Sequence, residues 1–260
     1  MLLQNKLFLV KKILIYTIFC SFLIPALVQA QIIPPDGEST GEQVLYRNEM
    51  HGGAFIHTNG LGIFFRKGKH VTGKRMRFLE IEMLNMKHPK GYRGVNPFEE
   101  RARQYIYGKQ NSFAIIRPGI GFQNVIHGKD KRKGVEVRYH YFAGPSIGLI
   151  KPVYLEIIIS ENNERSHIIE KYDSQRHHLD NIYGKAPFTR GLGEIRVEPG
   201  IYGKFGLSFE YSGYDDYVKA IETGIVVDAY TRKVPIMALA ENNQVFVNFY
   251  ISFLFGKREF

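Results

Sequence analysis

Charged side chains recur at alternate positions inside otherwise apolar stretches: Glu80, Glu82, Arg117, Glu136, Arg138, His140, Glu156, Lys204, Glu210, Glu222 and Asp228. Carboxylates, guanidinium groups and an imidazole so placed suit either a paired structural network or proton transfer. A lone ion held away from water is too costly to persist, so pairing is expected wherever water is excluded. The set is therefore predicted to be a structural charge network with no catalytic role. Asp173, His177, His178 and Asp180 have the donor chemistry of a metal site, but neighbouring histidines in a charged loop read as solvated. His51, His57, His70, His88 and His127 lack ligand spacing. No phosphate-binding G-x-x-x-x-G-K-[ST] and no nucleophile elbow G-x-S-x-G occurs. Catalytic, cofactor-binding and metal residues are all expected to be none.

Two features of the sequence suggest surface chemistry. Gly128–Gly134 contains Lys129-Asp130-Lys131-Arg132-Lys133, a hydrophilic hairpin tip that on an outer face would meet lipopolysaccharide phosphates. Aromatic-Gly-Lys recurs at Tyr107-Gly108-Lys109, Tyr183-Gly184-Lys185, Tyr202-Gly203-Lys204 and Phe255-Gly256-Lys257. At strand ends, as expected for the copies at 107 and 255, such triplets suit an aromatic belt with snorkelling lysines.

The compartment follows from the leader. Residues 1–12 hold Lys6, Lys11 and Lys12 and no acid, Ile13–Ile24 is apolar, and Val28-Gln29-Ala30 offers a small-x-small site. Together these predict a cleaved secretory signal peptide over 1–30. The lone cysteine, Cys20, lies inside that leader, so the exported protein is expected to lack disulfides and thiolate sites. Without the three leader lysines, 32 of the 35 basic residues face 25 acidic ones, a net +7 in place of +10. With no clustered basic face, this excess does not indicate nucleic-acid binding.

The chain repeats in twos. Val245, Val247, Phe249, Ile251, Phe253 and Phe255 occupy alternate positions, as do Ile201, Phe205, Leu207 and Phe209, and Ile221, Thr223, Ile225 and Val227. Similar alternation runs through 112–123, 135–142 and 153–159. This period marks strands with one apolar and one polar face. The apolar positions are too bulky for a small barrel's interior, and the polar ones are few and mixed in sign. Lipid outside and a polar lumen inside fit this inverted pattern. Strands are placed near 51–66 (with a bulge), 74–87, 111–126, 134–145, 150–160, 199–213, 217–231 and 244–256. Ala143–Leu149 and Ser212–Asp216 become inner turns, and 161–198 a long outer loop. The predicted fold is all-β: a closed antiparallel up-and-down transmembrane barrel of eight strands, with ten as the alternative, its lumen filled by polar side chains. Segment 31–48 is an extended N-terminal piece, and 49–260 is the barrel. On this count residues 86–110 fall on the inner side, where a connection should be brief.

The chain resembles the small outer-membrane β-barrels of the OmpA/OmpX architecture. The leader, the strand repeat and the run Val245-Phe246-Val247-Asn248-Phe249-Tyr250-Ile251-Ser252-Phe253-Leu254-Phe255 carry the resemblance. It implies that Phe249, Ile251, Phe253, Phe255 and the terminal Phe260 form the signal read by the barrel-insertion machinery. Gly256-Lys257-Arg258-Glu259 separates Phe260 from the expected end of that strand. The expected function is a closed-lumen structural, interaction or surface-anchor barrel in the outer membrane of a Gram-negative envelope. The alternatives are a lipid-modifying enzyme and a small-solute channel. Outer-membrane lipid and lipopolysaccharide, the insertion machinery and a protein met through loop 161–198 are the expected partners; nucleic acid is not.

Overall fold

A computed structural model describes residues 48–99, 101–128, 134–161, 164–212 and 217–259. The leader, segment 31–47, the basic tip 129–133 and Phe260 lie outside the described residues. In chain order the strands are β1 (Asn48–His57), β2 (Gly60–Thr72), β3 (Arg75–Met86), β4 (Arg93–Gly94), β5 (Tyr105–Ile106), β6 (Asn111–His127), β7 (Glu136–Pro152), β8 (Tyr154–Glu161), β9 (Glu164–Lys171), β10 (Ile182–Lys185), β11 (Arg196–Glu210), β12 (Tyr217–Tyr230) and β13 (Val245–Glu259). Eight of them close into an antiparallel barrel in the order β1-β13-β12-β11-β7-β6-β3-β2. Among the described residues no helix is long and apolar enough to cross a membrane, and none is needed, because a closed sheet pairs its own backbone groups.

The period-two pattern decides which side chains face out. Along β13, Phe246, Asn248, Tyr250, Ser252 and Leu254 are buried, while Phe249 is 65% exposed and Val245, Val247, Ile251, Phe253 and Phe255 point the same way. Ile201 and Phe205 on β11 are 68% and 57% exposed, and Leu61, Ile63, Leu79 and Ile225 join the same outer belt. Arg66, Arg117, His140, Glu222 and Asp228 are buried on the inner parity. This arrangement inverts that of a water-soluble barrel and makes the fold a transmembrane one.

The strand total of eight agrees with the expected count, but the strands differ from those placed at 51–66, 134–145 and 150–160. The stretch 51–66 is a hairpin: β1 and β2 pair from Asn48↔Lys69 to His57↔Gly60 around Thr58 and Asn59. A Cβ on Gly60 would lie 2.2 Å from the Asn85 carbonyl oxygen, so the glycine permits the close turn, and the broken alternation marks a reversal in place of a bulge. β7 (Glu136–Pro152) is one strand, so the turn expected at Ala143–Leu149 is mid-strand. Gly144-Pro145 mimics a turn, but Pro145 stands across from Pro118, and the β6–β7 ladder is interrupted between Ile116↔Ile147 and Ile120↔Ala143. Neither proline has an N–H to exchange, so the strand passes through without that pair of bonds. The rest of the segment expected at 150–160 is β8, which leaves the barrel and pairs only with β9 and β10.

Splitting one segment and fusing two preserves the number eight but reverses which connections share an end. The starts of β1 and β6–β7 and β11–β12 connections now lie at one end with the close of β13, and the loops 87–110, 153–195 and 231–244 at the other. The long connection at 86–110 is therefore on the side of the other large loops. β6 ends and β7 begins at the opposite, terminal end. The last strand continues through Gly256, Lys257 and Arg258, pairing Arg258 with Glu49, so it does not stop before Gly256.

The barrel surface generates a direct test. Phe205→Arg places a charge on the lipid face near mid-strand and should destabilise the refolded barrel by about 2–4 kcal/mol, with Phe205→Leu close to neutral. The urea dependence of the folded band in lipid vesicles would measure both.

Candidate functional site

The candidate residues gather in the barrel's interior. Arg66 on β2 stands opposite Glu80 on β3 and bonds it through Nε. Its two terminal nitrogens donate to both oxygens of Glu222 on β12, at 2.7 and 2.9 Å. Glu222 also accepts from the Ser252 hydroxyl at 3.1 Å. Lys204 on β11 donates to Glu82 at 2.5 Å and Glu80 at 3.3 Å. Arg117 on β6 reaches Glu82 at 3.0 Å and forks onto Asp228 at 2.8 and 2.5 Å. Asp228 accepts a further bond from Ser146 at 3.0 Å. The chain of contacts thus ties β2, β3, β6, β11 and β12 across the lumen. Two-toothed Arg–carboxylate pairs fix direction as well as distance.

A second group lies toward the terminal end. Arg138 bonds Glu136 at 2.5 Å and Glu210 at 2.7 Å. Arg258 bonds Glu49 at 2.8 Å and Glu210 at 2.9 Å, and His51 pairs with Glu49 at 2.9 Å. This group joins β1, β7, β11 and β13, so the first and last strands are locked by an ion pair as well as by backbone bonds.

Aromatic side chains fill the space between the ions. The Arg66 guanidinium lies 4.6 Å from the Phe64 ring centre and 4.7 Å from that of Phe142. The Lys204 ammonium lies 4.9 Å from that of Tyr250. Tyr250 shares a 2.7 Å bond with His140. It sits over Gly206, whose Cβ would lie 2.3 Å from the tyrosine oxygen. The lumen is thus a packed polar and aromatic core. His140, Glu222 and Ser252 do meet, with His140 Nδ1 3.8 Å from Glu222, but all three are buried within that core, with no approach for a lipid.

Most of the residues expected in the lumen are brought together there: Glu80, Glu82, Arg117, Glu136, Arg138, His140, Lys204, Glu210, Glu222 and Asp228. Glu156 is a correction. It belongs to β8, outside the barrel, 3.7 Å from Arg103 and 3.4 Å from His167. Its strand alternates because Leu155 and Ile157 face a small protein core, not lipid. Arg66, Glu49 and Arg258 also join the network: Arg66 stands at the end of the stretch 51–66 expected as one strand, and Arg258 beyond the expected strand end at 256. The excess of acids over bases in the expected set was the available sign that cations were missing. Phe249, Ile251, Phe253 and Phe255 all point outward on β13.

The end opposite the chain's described termini carries a folded cap. Tyr105, Val153, Leu155, Ile157, Tyr172 and Ile182 form its apolar core. Its loops are interlocked: Gln110 N–H donates to Ile236 O at 3.0 Å, Val153 N–H to Gln110 O at 3.0 Å, and Ala238 N–H to Gly108 O at 2.8 Å. Asn96 donates to Ile182 O at 2.8 Å. Beneath, Val234, Ile236 and Met237 pack with Phe113, Tyr230 and Phe246 and stop the mouth of the barrel. His177 is buried against Glu170 at 3.3 Å, Asp173 accepts from the Gln175 amide at 2.9 Å, and no metal-holding group occurs among the described residues. The aromatic-Gly-Lys copies have no shared role. Those at 107 and 183 belong to the cap, Tyr202 and Lys204 are in the lumen, and only Phe255 lies on the outward face near a strand end. Lys109 is half-buried, and burial together with the facing cations Lys185, Lys87, Arg93 and Lys151 lowers its ammonium pKa to about 8.

No protein-family model matches the chain, and no curated protein sequence does. Among solved structures it is similar to Ail, the attachment invasion locus protein of Yersinia pestis, at 9% identity and a TM-score of 0.39, over 82% of this chain and 99% of that one. Neisserial surface protein A gives 9% identity and a TM-score of 0.35 over 82% and 96%. The N-terminal β-barrel domain of Pseudomonas aeruginosa OprF gives 8% and 0.33 over 82% and 97%. The fold assignment here stands on the closed strand order and the direction of its side chains.

Removing one member of the central network leaves buried carboxylates unpaired. Arg66→Met should therefore destabilise the barrel by about 3–5 kcal/mol. Combining it with Glu80→Gln and Glu222→Gln should recover most of that loss. Urea unfolding of the unaltered protein and both variants side by side would check this.

Proposed function

We propose that this chain is an integral outer-membrane barrel that anchors a rigid, folded cap at the cell surface, with a structural or interaction role. One observation carries the reading: large apolar side chains form the outer belt while the ions are sealed inside. Such a surface requires lipid, and a closed strand barrel is one of two backbone solutions to spanning it. Placing the described termini on the periplasmic side leaves the cap outside, where its interlocked loops hold a fixed surface for a partner. That surface includes more than the expected 161–198, because 87–110 and 231–244 are woven into it. Export through the leader at 1–30 and insertion guided by Phe249, Ile251, Phe253, Phe255 and Phe260 belong to the same proposal.

The packed lumen and the apolar stopper of Val234, Ile236 and Met237 favour an anchor over a channel, and the burial of His140 and Ser252 favours it over an enzyme. Two measurements test the reading. Unheated protein should migrate differently from boiled protein on a detergent gel, as a closed membrane barrel does. A protease added to intact cells should cut an epitope inserted near Gly193 in the cap and spare one inserted at Gly73–Lys74. Identical migration, or the reverse cleavage pattern, would contradict it.

A further inference from the structure

Among the described residues, a group of cations on the cap side of the barrel rim has no carboxylate within ion-pair distance. Met86 pairs with Phe113 and Ser112 with Lys151, so Lys87 and Lys151 stand on either side of Ser112, on the outward parity. The Lys151 ammonium lies 4.7 Å from the ring centre of exposed Phe188. Lys109, bridged to Met237, lies within electrostatic reach of Lys87, Lys151, Lys185 at the end of β10 and Arg93 on β4. Three other cap cations are claimed: Arg103 by Glu156, Lys171 by Glu194 and Arg176 by Glu170. Among the described residues, none of the five has an ion-pair partner. Cations that face one another with no anion between them repel, and partial burial strengthens the repulsion. Burial first, and then the charges of Lys185, Lys87, Arg93 and Lys151, lower the ammonium pKa of Lys109.

We propose that Lys87, Arg93, Lys109, Lys151 and Lys185 bind the phosphomonoester headgroup of a lipid in the leaflet around the capped rim. Position favours a lipid over free phosphate. Lys151 follows directly on Leu149 of the outward face of β7, with Phe188 beside it, and Lys87 lies one outward position beyond Met83 and Asn85 of β3. At that level headgroups lie, and lysine stems rest on apolar surface with their ammonium groups in the interface. The inference rests on the membrane reading above; loss of the heat-dependent gel shift in the unaltered protein would remove that reading, whereas the test below addresses the site alone.

The full chain, refolded in phosphatidylcholine bicelles, would be titrated with phosphatidic acid while its isotope-labelled lysine amines are followed by NMR. The Lys109 amine should titrate at higher pH once the lipid is present. Lys109→Gln with Lys151→Gln should weaken binding roughly thirtyfold, at about a fivefold loss per lysine. Lys67→Gln with Lys69→Gln, near the opposite end, should leave it unchanged. Equal binding by the Lys109/Lys151 variant would overturn the site. Inorganic phosphate occupying it as tightly as the lipid would overturn the assignment to a headgroup. If that variant does not fold, the unaltered protein decides: a Lys109 amine unmoved by phosphatidic acid overturns the proposal.

Discussion

A buried ion must have an answering ion at bonding distance, and the interior of this barrel is organised around that requirement. Arg66 has no exposure and is held by Glu80 on the neighbouring strand and by Glu222 across the lumen. Arg117 does the same between Glu82 and Asp228. A slip of one residue in any of these strands would turn the charge into lipid and an apolar side chain into the lumen. The network therefore penalises incorrect registers more than it adds stability over an apolar core of equal volume.

Closure and pairing support each other. Backbone groups in lipid cannot be left unpaired, so the sheet has to return to β1 through β13. The Arg258–Glu49 pair sits at that seam. With eight strands the lumen is only wide enough for side chains. Aromatics beside glycines, as Tyr250 over Gly206, fill what the ions leave. The lumen is thus filled by side chains, and the rim and the cap are the surfaces outside the apolar belt.

The inverted barrel was legible in the sequence because alternation over ten or more residues survives any uncertainty about strand ends. Val245 to Phe255 shows it without interruption. The ends themselves were not legible. Thr58-Asn59-Gly60 is a turn and Gly144-Pro145 is not, yet both carry turn-forming residues. The difference lies in the partners: Asn85 crowds Gly60, and Pro118 faces Pro145. Neither neighbour is near in sequence. Glu156 misled for a related reason, since alternation reports one apolar environment and one polar one without saying whether the apolar one is lipid or a small protein core.

By itself the sequence determined which face of each strand is apolar and which is polar, since alternate side chains of a strand point to opposite faces. It also determined that most of the alternating charges would need partners inside. Only the tertiary structure decided which charges pair, that Arg66 and Arg258 complete the set, and that all three large loops share one end. Those outcomes depend on register and strand count, which are set by contacts between residues far apart in the chain. One added reversal at Thr58 inverts the side of every connection between it and the next error, and no local pattern records that.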